Sequence, residues 1–84
     1  MTSEDVRGAI VKSLTTVAPE IDVGTLSPDV AFRQEFELDS MDFLNFVIDL
    51  HATLGVEIPE ADYAKLATLA SAVEYLSSRL GLAS

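Results

Sequence analysis

Glu37-Leu38-Asp39-Ser40-Met41-Asp42 stands where a long connection ends and the most apolar helical stretch of the chain begins. Asp39 is a favourable N-cap residue, and Asp42, three positions later, is placed as the acidic half of a capping box. A helix that starts this way carries Ser40 in its first turn, with the hydroxyl at the helix tip. Unpaired backbone N–H groups and the positive end of the helix dipole favour an anion such as a phosphate there.

Working forward from this stretch, the helix runs from Ser40 to about Leu54 and stops at Gly55, a natural C′ residue. At roughly 100° per residue, Phe43, Phe46, Val47, Leu50 and Leu54 fall on one arc and form a core stripe. Asp42, Asn45, Asp49 and Thr53 take a polar arc. Met41, Leu44 and Ile48 make a second apolar group, roughly 130° from the centre of the first, with Ser40 between the two. A bundle helix ordinarily buries one stripe. The second group is therefore either ordinary core under a neighbouring short helix or an exposed flank for partner proteins, and the reading adopted is that part of it stays exposed.

Working backward, Pro19 to Leu38 is a connection of about twenty residues, far longer than the usual helix–helix link. Its apolar residues Ile21, Val23, Leu26, Val30, Phe32 and Phe36 read as anchors on the core. Gly24 and Ser27-Pro28-Asp29 supply turns, and one short helical turn is expected near Asp29 to Phe32. Before it, Ser3 to about Ala18 is an amphipathic helix with Val6, Ile10, Leu14 and Val17 at helical spacing, capped by Thr2 or Ser3 and stopped by Pro19. After Ile58-Pro59, Glu60 to about Leu66 forms a short helix with Tyr63 and Leu66 inward. Thr68 caps a last helix striped by Leu69, Val73, Leu76 and Leu80 and ended by Gly81. The expected fold is all-α: an irregular four-helix up-down bundle, three main helices plus a short third, with a long loop between the first and second.

Composition narrows the function. Eighty-four residues, 49% hydrophobic, suit one domain spanning 1–84 with a single core. No cysteine is present, hence no disulfide framework and no thiolate metal site. Fourteen acidic against five basic residues give a net charge of −9, which disfavours nucleic acid and steers the domain towards proteins with basic patches. The acidic start Met1-Thr2-Ser3-Glu4-Asp5 lacks the features of a signal peptide, and no run approaches the roughly 20 apolar residues of a membrane span. The expectation is a cytoplasmic monomer.

Enzymatic readings of Ser40 fail on geometry. A nucleophilic serine needs a base within hydrogen-bond reach and an oxyanion hole. The only histidine, His51, lies eleven residues along the same helix, roughly 16 Å away at the standard rise. There is no Gly-x-Ser-x-Gly elbow. His51 has no second histidine at metal-ligand spacing and reads as solvated or partner-facing. The carboxylates do not follow calcium-loop spacing, so no metal site is expected.

Nearly the whole chain resembles the acyl carrier protein family. The resemblance rests on the stripe of the first helix, the anchored loop, Leu38-Asp39-Ser40-Met41, and Gly55-Val56-Glu57-Ile58-Pro59 about fifteen residues later, followed by the short and final helices. It implies a carrier, not an enzyme. By that resemblance a phosphopantetheinyl transferase attaches 4′-phosphopantetheine from coenzyme A, with magnesium, to Ser40. Asp39 supports the transferase and its metal, and the arm's thiol carries an acyl group as a thioester. Met41, Asp42, Leu44 and Ile48 fall on partner-docking positions, the partners being an acyl or aminoacyl ligase, a ketosynthase or an acyltransferase with basic surface patches. Glu37 departs from the glycine that many fatty-acid carriers have there, and Asn45, His51 and Ala52 stand at positions usually acidic in them. These departures point to a specialised carrier in lipid, fatty-acid or polyketide-type biosynthesis. An aminoacyl carrier similar to the D-alanyl carrier protein is the alternative, and a helical interaction module without a prosthetic group is the alternative from another class.

Overall fold

Each of the three long helices begins at a side chain that satisfies its own first turn. The computed structural model describes residues 2–22, 24 and 26–82. Helix α1 spans Ser3–Val17, capped by Thr2 with Asp5 completing a capping box. A one-turn helix α2 follows at Phe32–Glu35, then α3 at Ser40–Leu54, a 3₁₀ helix at Glu60–Leu66, and α4 at Leu69–Arg79. Helix α3 is boxed by Asp39 and Asp42, and α4 by Thr68 and Ser71. Each such cap is worth about 1 kcal/mol. The C-terminal ends are equally local. Gly55 at φ 67° closes α3, and Gly81 at φ 74° follows α4, with the Leu82 N–H donating to the Ser77 carbonyl.

The chain is all-helical among the described residues, with one more helix than the four expected. The extra element corrects the expected turn at Asp29 to Phe32, which lies three residues later. Ala31 forms an isolated antiparallel bridge with Thr68, and the Phe32 N–H donates to the Ala67 carbonyl at 2.8 Å. Those bonds hold Ala31 itself extended, so the helix starts only at Phe32. The Ala70 N–H, one of the unpaired amides at the start of α4, donates to the Pro28 carbonyl at 2.9 Å. The long loop is thus tied by backbone bonds to the beginning of α4.

One apolar cluster holds the elements together. Val6, Ile10 and Leu14 of α1, Phe32 of α2, Phe46 and Leu50 of α3, Leu66 of the 3₁₀ helix, and Ala72 and Leu76 of α4 have no exposed surface. Val17, Leu26, Phe36, Tyr63, Val73 and Leu80 are half-buried against it, while Val23 lies outside the described residues. An edge-to-face contact between Phe32 and Phe46, ring centroids 5.7 Å apart, docks α2 on α3. Phe43 meets Phe46 at 5.8 Å and Tyr63 at 6.2 Å, continuing the aromatic series to the 3₁₀ helix. Helix α1 packs on both α3 and α4, whereas the 3₁₀ helix packs chiefly on α4. The boundary between α3 and the 3₁₀ helix is therefore left partly open.

Candidate functional site

Ser40 sits at that boundary as the first residue of α3. The Asp42 N–H donates to Asp39 Oδ1 at 2.8 Å, and the Asp39 N–H approaches Asp42 Oδ2 at 3.4 Å, which locks the turn on which Ser40 rides. Ser40 is exposed, and its hydroxyl enters no hydrogen bond among the described residues. Asp39 keeps its second carboxylate oxygen, Oδ2, outside the capping box and in solvent. Asp42 is half-buried, with its carboxylate turned back to the cap.

The turn entering α3 has an unusual member. Glu37, at φ 54°, is the one non-glycine residue with left-handed backbone among those described. It stands at C′ of α2, and the Leu38 N–H donates to the Arg33 carbonyl at 3.0 Å, the long-range bond of a Schellman ending. Glycine takes this conformation without the penalty a Cβ imposes. Glu37 therefore carries that penalty in the turn that leads to Ser40.

Ser40 opens onto a cleft of about 400 Å³ that it lines with Arg33, Phe43, Leu44, Glu60 and Tyr63. Arg33, Phe43 and Tyr63 also line an adjoining trough of about 350 Å³, floored by Ala31, Ala64 and Ala67. Sequence reasoning had no place for Arg33, Glu60 or Tyr63 here. The available signal was the lone cation of the loop, one residue after the buried Phe32. Beside the cleft, Met41 (64% exposed), Ile48 (55%) and Leu44 (38%) are the large hydrophobic residues left in solvent among those described. The short helix does not cover them.

His51 is far from the cleft mouth. Its Nδ1 lies 2.8 Å from the Val56 carbonyl oxygen. A carbonyl only accepts, so Nδ1 carries the proton and the ring ties down the turn after α3. Asp49, on the opposite side of α3, accepts a hydrogen bond from the buried Ser13 hydroxyl and so joins α3 to α1. No group of three or more His, Cys, Asp or Glu residues among those described is arranged to hold a metal ion. No helix of the described residues is long and apolar enough to cross a membrane.

The 3₁₀ wall of the cleft is pinned from behind. Tyr75 of α4 donates its hydroxyl to Asp62 Oδ2 at 2.6 Å, Lys65 stands 3.8 Å from Asp62 Oδ1, and the Lys65 ammonium lies 5.5 Å from the Tyr75 ring centroid. Burial first, and then the bond to the Asp62 carboxylate and its charge, push the Tyr75 phenol above its ordinary pKa, with Arg79 opposing.

The site is thus an unengaged serine hydroxyl on a capped helix tip, with a cleft on one side and an apolar flank on the other. Residues 9–76 match the family described as "Phosphopantetheine attachment site". The chain is 37% identical over 78 residues to the acyl carrier protein of Lactobacillus johnsonii, covering 93% of this chain and 96% of that one. It is 30% identical over 71 residues to that of Lactobacillus acidophilus, covering 84% and 89%. A solved acyl carrier protein from Enterococcus faecalis, described for its high thermal stability, superposes with a TM-score of 0.75 at 26% identity, over 94% of this chain and 99% of that one. The chain therefore belongs to the phosphopantetheine-binding acyl carrier proteins. These are carriers rather than enzymes, and their prosthetic group is 4′-phosphopantetheine. As a class they interact with phosphopantetheinyl transferases and biosynthetic enzymes.

Proposed function

We propose that the 84 residues act as one domain whose Ser40 bears the 4′-phosphopantetheine arm, carrying acyl intermediates as thioesters between biosynthetic enzymes. The observation that carries this is the free, exposed Ser40 hydroxyl at the boxed start of α3, inside the matched family region. The residues fit the group: attachment turns the hydroxyl into a phosphodiester, and the adjoining cleft and trough give the arm a surface to lie on. When bound, the arm supplies the thiol that this cysteine-free chain lacks.

The neighbouring residues take defined parts in this reading. Asp39 uses one carboxylate oxygen to hold the helix start, and its other oxygen is open to a transferase and its magnesium. Met41, Leu44 and Ile48, with Asp42 between them, form the docking flank. Leu44 and Ile48 are part-exposed, so a partner that covers them gains only a fraction of the about 1.5–3 kcal/mol of a fully exposed side chain from each, and the surrounding acidity steers enzymes with basic patches. Asn45, His51 and Ala52 are exposed and not acidic, which favours a specialised carrier over a housekeeping one. The name acyl carrier protein borne by the curated relatives favours acyl over aminoacyl cargo.

The test is intact mass analysis after incubation with coenzyme A, magnesium and a permissive phosphopantetheinyl transferase. One phosphopantetheine should add to the wild type and none to Ser40→Ala, whose fold should persist because Asp39 still caps the helix. Failure of the wild type to gain mass across several transferases leaves a plain interaction module as the reading.

A further inference from the structure

We infer that Arg33 is a positioning residue for the prosthetic arm, holding the phosphodiester on Ser40 and so directing the arm into the trough beside it rather than out into solvent. This rests on the assignment of the arm to Ser40. Arg33 is the single cation lining the cleft that Ser40 opens onto, and it also lines the trough beyond. Its guanidinium lies over the Phe43 ring, 5.8 Å from the centroid, within the range of a cation–π contact. That contact restrains a long side chain that would otherwise move freely, and Phe43 is itself anchored by Phe46 and Tyr63.

Charge makes the case sharper. The cleft also contains Glu60, and the capping box places Asp39 and Asp42 beside Ser40, in a chain of net charge −9. A phosphodiester on Ser40 adds a further negative charge to this acidic mouth. Arg33 is available to meet it, because no carboxylate lies within ion-pair distance of its guanidinium among the described residues, although Glu35 and Glu37 follow it closely in sequence. By contrast, Lys65 is engaged with Asp62 and Arg79 donates to the Glu57 carbonyl. A guanidinium offers paired donors that match phosphate oxygens and survive partial exposure better than a point charge does. A phosphodiester on Ser40 thus shares its cleft with one cation, and that same cation lines the trough with Gln34, Phe43, Tyr63 and three alanines.

The experiment compares apo and holo forms of the wild type, Arg33→Gln and Arg33→Lys, each holo form verified by intact mass. Two signals are read: the ³¹P resonance of the phosphodiester against added salt, and the Arg33 Nε–H resonance. The wild-type ³¹P signal should move with salt towards the position it holds in Arg33→Gln, which should be nearly salt-insensitive, and Arg33→Lys should fall between. The Arg33 Nε–H signal should shift between apo and holo wild type. Identical ³¹P positions and salt responses in wild type and Arg33→Gln overturn the inference. So does an Arg33 Nε–H signal that stays in place between apo and holo wild type. If Arg33→Gln gains the arm with an unaltered ³¹P signal, the Ser40 assignment stands and Arg33 alone is dismissed. If no form gains mass, the Ser40 assignment falls, and this inference with it.

Discussion

Helix α3 carries two apolar faces with opposite fates. Phe43, Phe46, Val47, Leu50 and Leu54 are buried, while Met41, Leu44 and Ile48 on the same fifteen residues are exposed. The residue types are equally hydrophobic, so side-chain chemistry does not explain the difference. Neighbours do. Helix α1 covers the first face and Phe32 plugs it, whereas the 3₁₀ helix leans on α4 through Tyr75 and Asp62 and leaves the second face bare. This exposed row is the face that the proposed reading gives to partner proteins.

The largest expected effect probes the buried face. Phe46→Ala should destabilise the apo protein by about 3–5 kcal/mol, because it leaves a cavity at a fully buried position that also contacts Phe32 and Phe43. Chemical denaturation measures this, and a loss below about 1 kcal/mol would contradict the packing described.

Next in size is the wall that leaves the second face uncovered. Tyr75→Phe should cost about 1 kcal/mol near neutral pH through loss of the bond to Asp62. The same substitution has a pH signature. Because the folded-state pKa of Tyr75 is raised, the folded protein holds this proton more tightly than the unfolded chain does. The contribution is complete below the unfolded tyrosine pKa of about 10 and is lost as pH rises from there through the raised value. Wild type should therefore lose its advantage over Tyr75→Phe above about pH 10, and a gap that stays constant or widens there would exclude the linkage.

Glu37→Gly should stabilise the protein by up to about 1 kcal/mol, by removing a Cβ from left-handed backbone against the greater flexibility of glycine when unfolded. Equal thermal midpoints with a lowered enthalpy would show the turn rearranging instead. Smallest in stability terms is the exposed face: Ile48→Ala should change unfolding free energy by no more than about 0.5 kcal/mol. In the proposed reading it slows loading by partner enzymes several-fold, so the two faces of α3 separate into a stability phenotype and a recognition phenotype.

Much of the fold was legible because its decisive signals are local. The Asp39–Asp42 box, the Thr2 and Thr68 caps, and the glycines at 55 and 81 act within one turn of helix, and the spacing of Val6, Ile10 and Leu14 is a property of one helix alone. The place of Ser40 at the tip of α3 was legible for the same reason. Other features were not. The expected turn at Asp29 was displaced to Phe32 because Ala31 pairs with Thr68, thirty-seven positions away, and no periodicity announces such a pairing. Glu37 read as a departure from the glycine of a resembled family, and only the backbone showed that this chain takes a positive φ there.

By itself, then, the sequence determined where the three long helices begin and end, which stripe of α3 enters the core, and that Ser40 sits without a base in the first turn of an apolar helix. Capping and helical period are interactions between residues a few positions apart. Tertiary structure alone decided that Met41, Leu44 and Ile48 stay uncovered, that Arg33 folds over Phe43 into the cleft of Ser40, and that the 3₁₀ helix is held from the side of α4. Those outcomes depend on which distant elements meet. One helix wheel says which residues share a face, but the face's burial is settled by what packs against it.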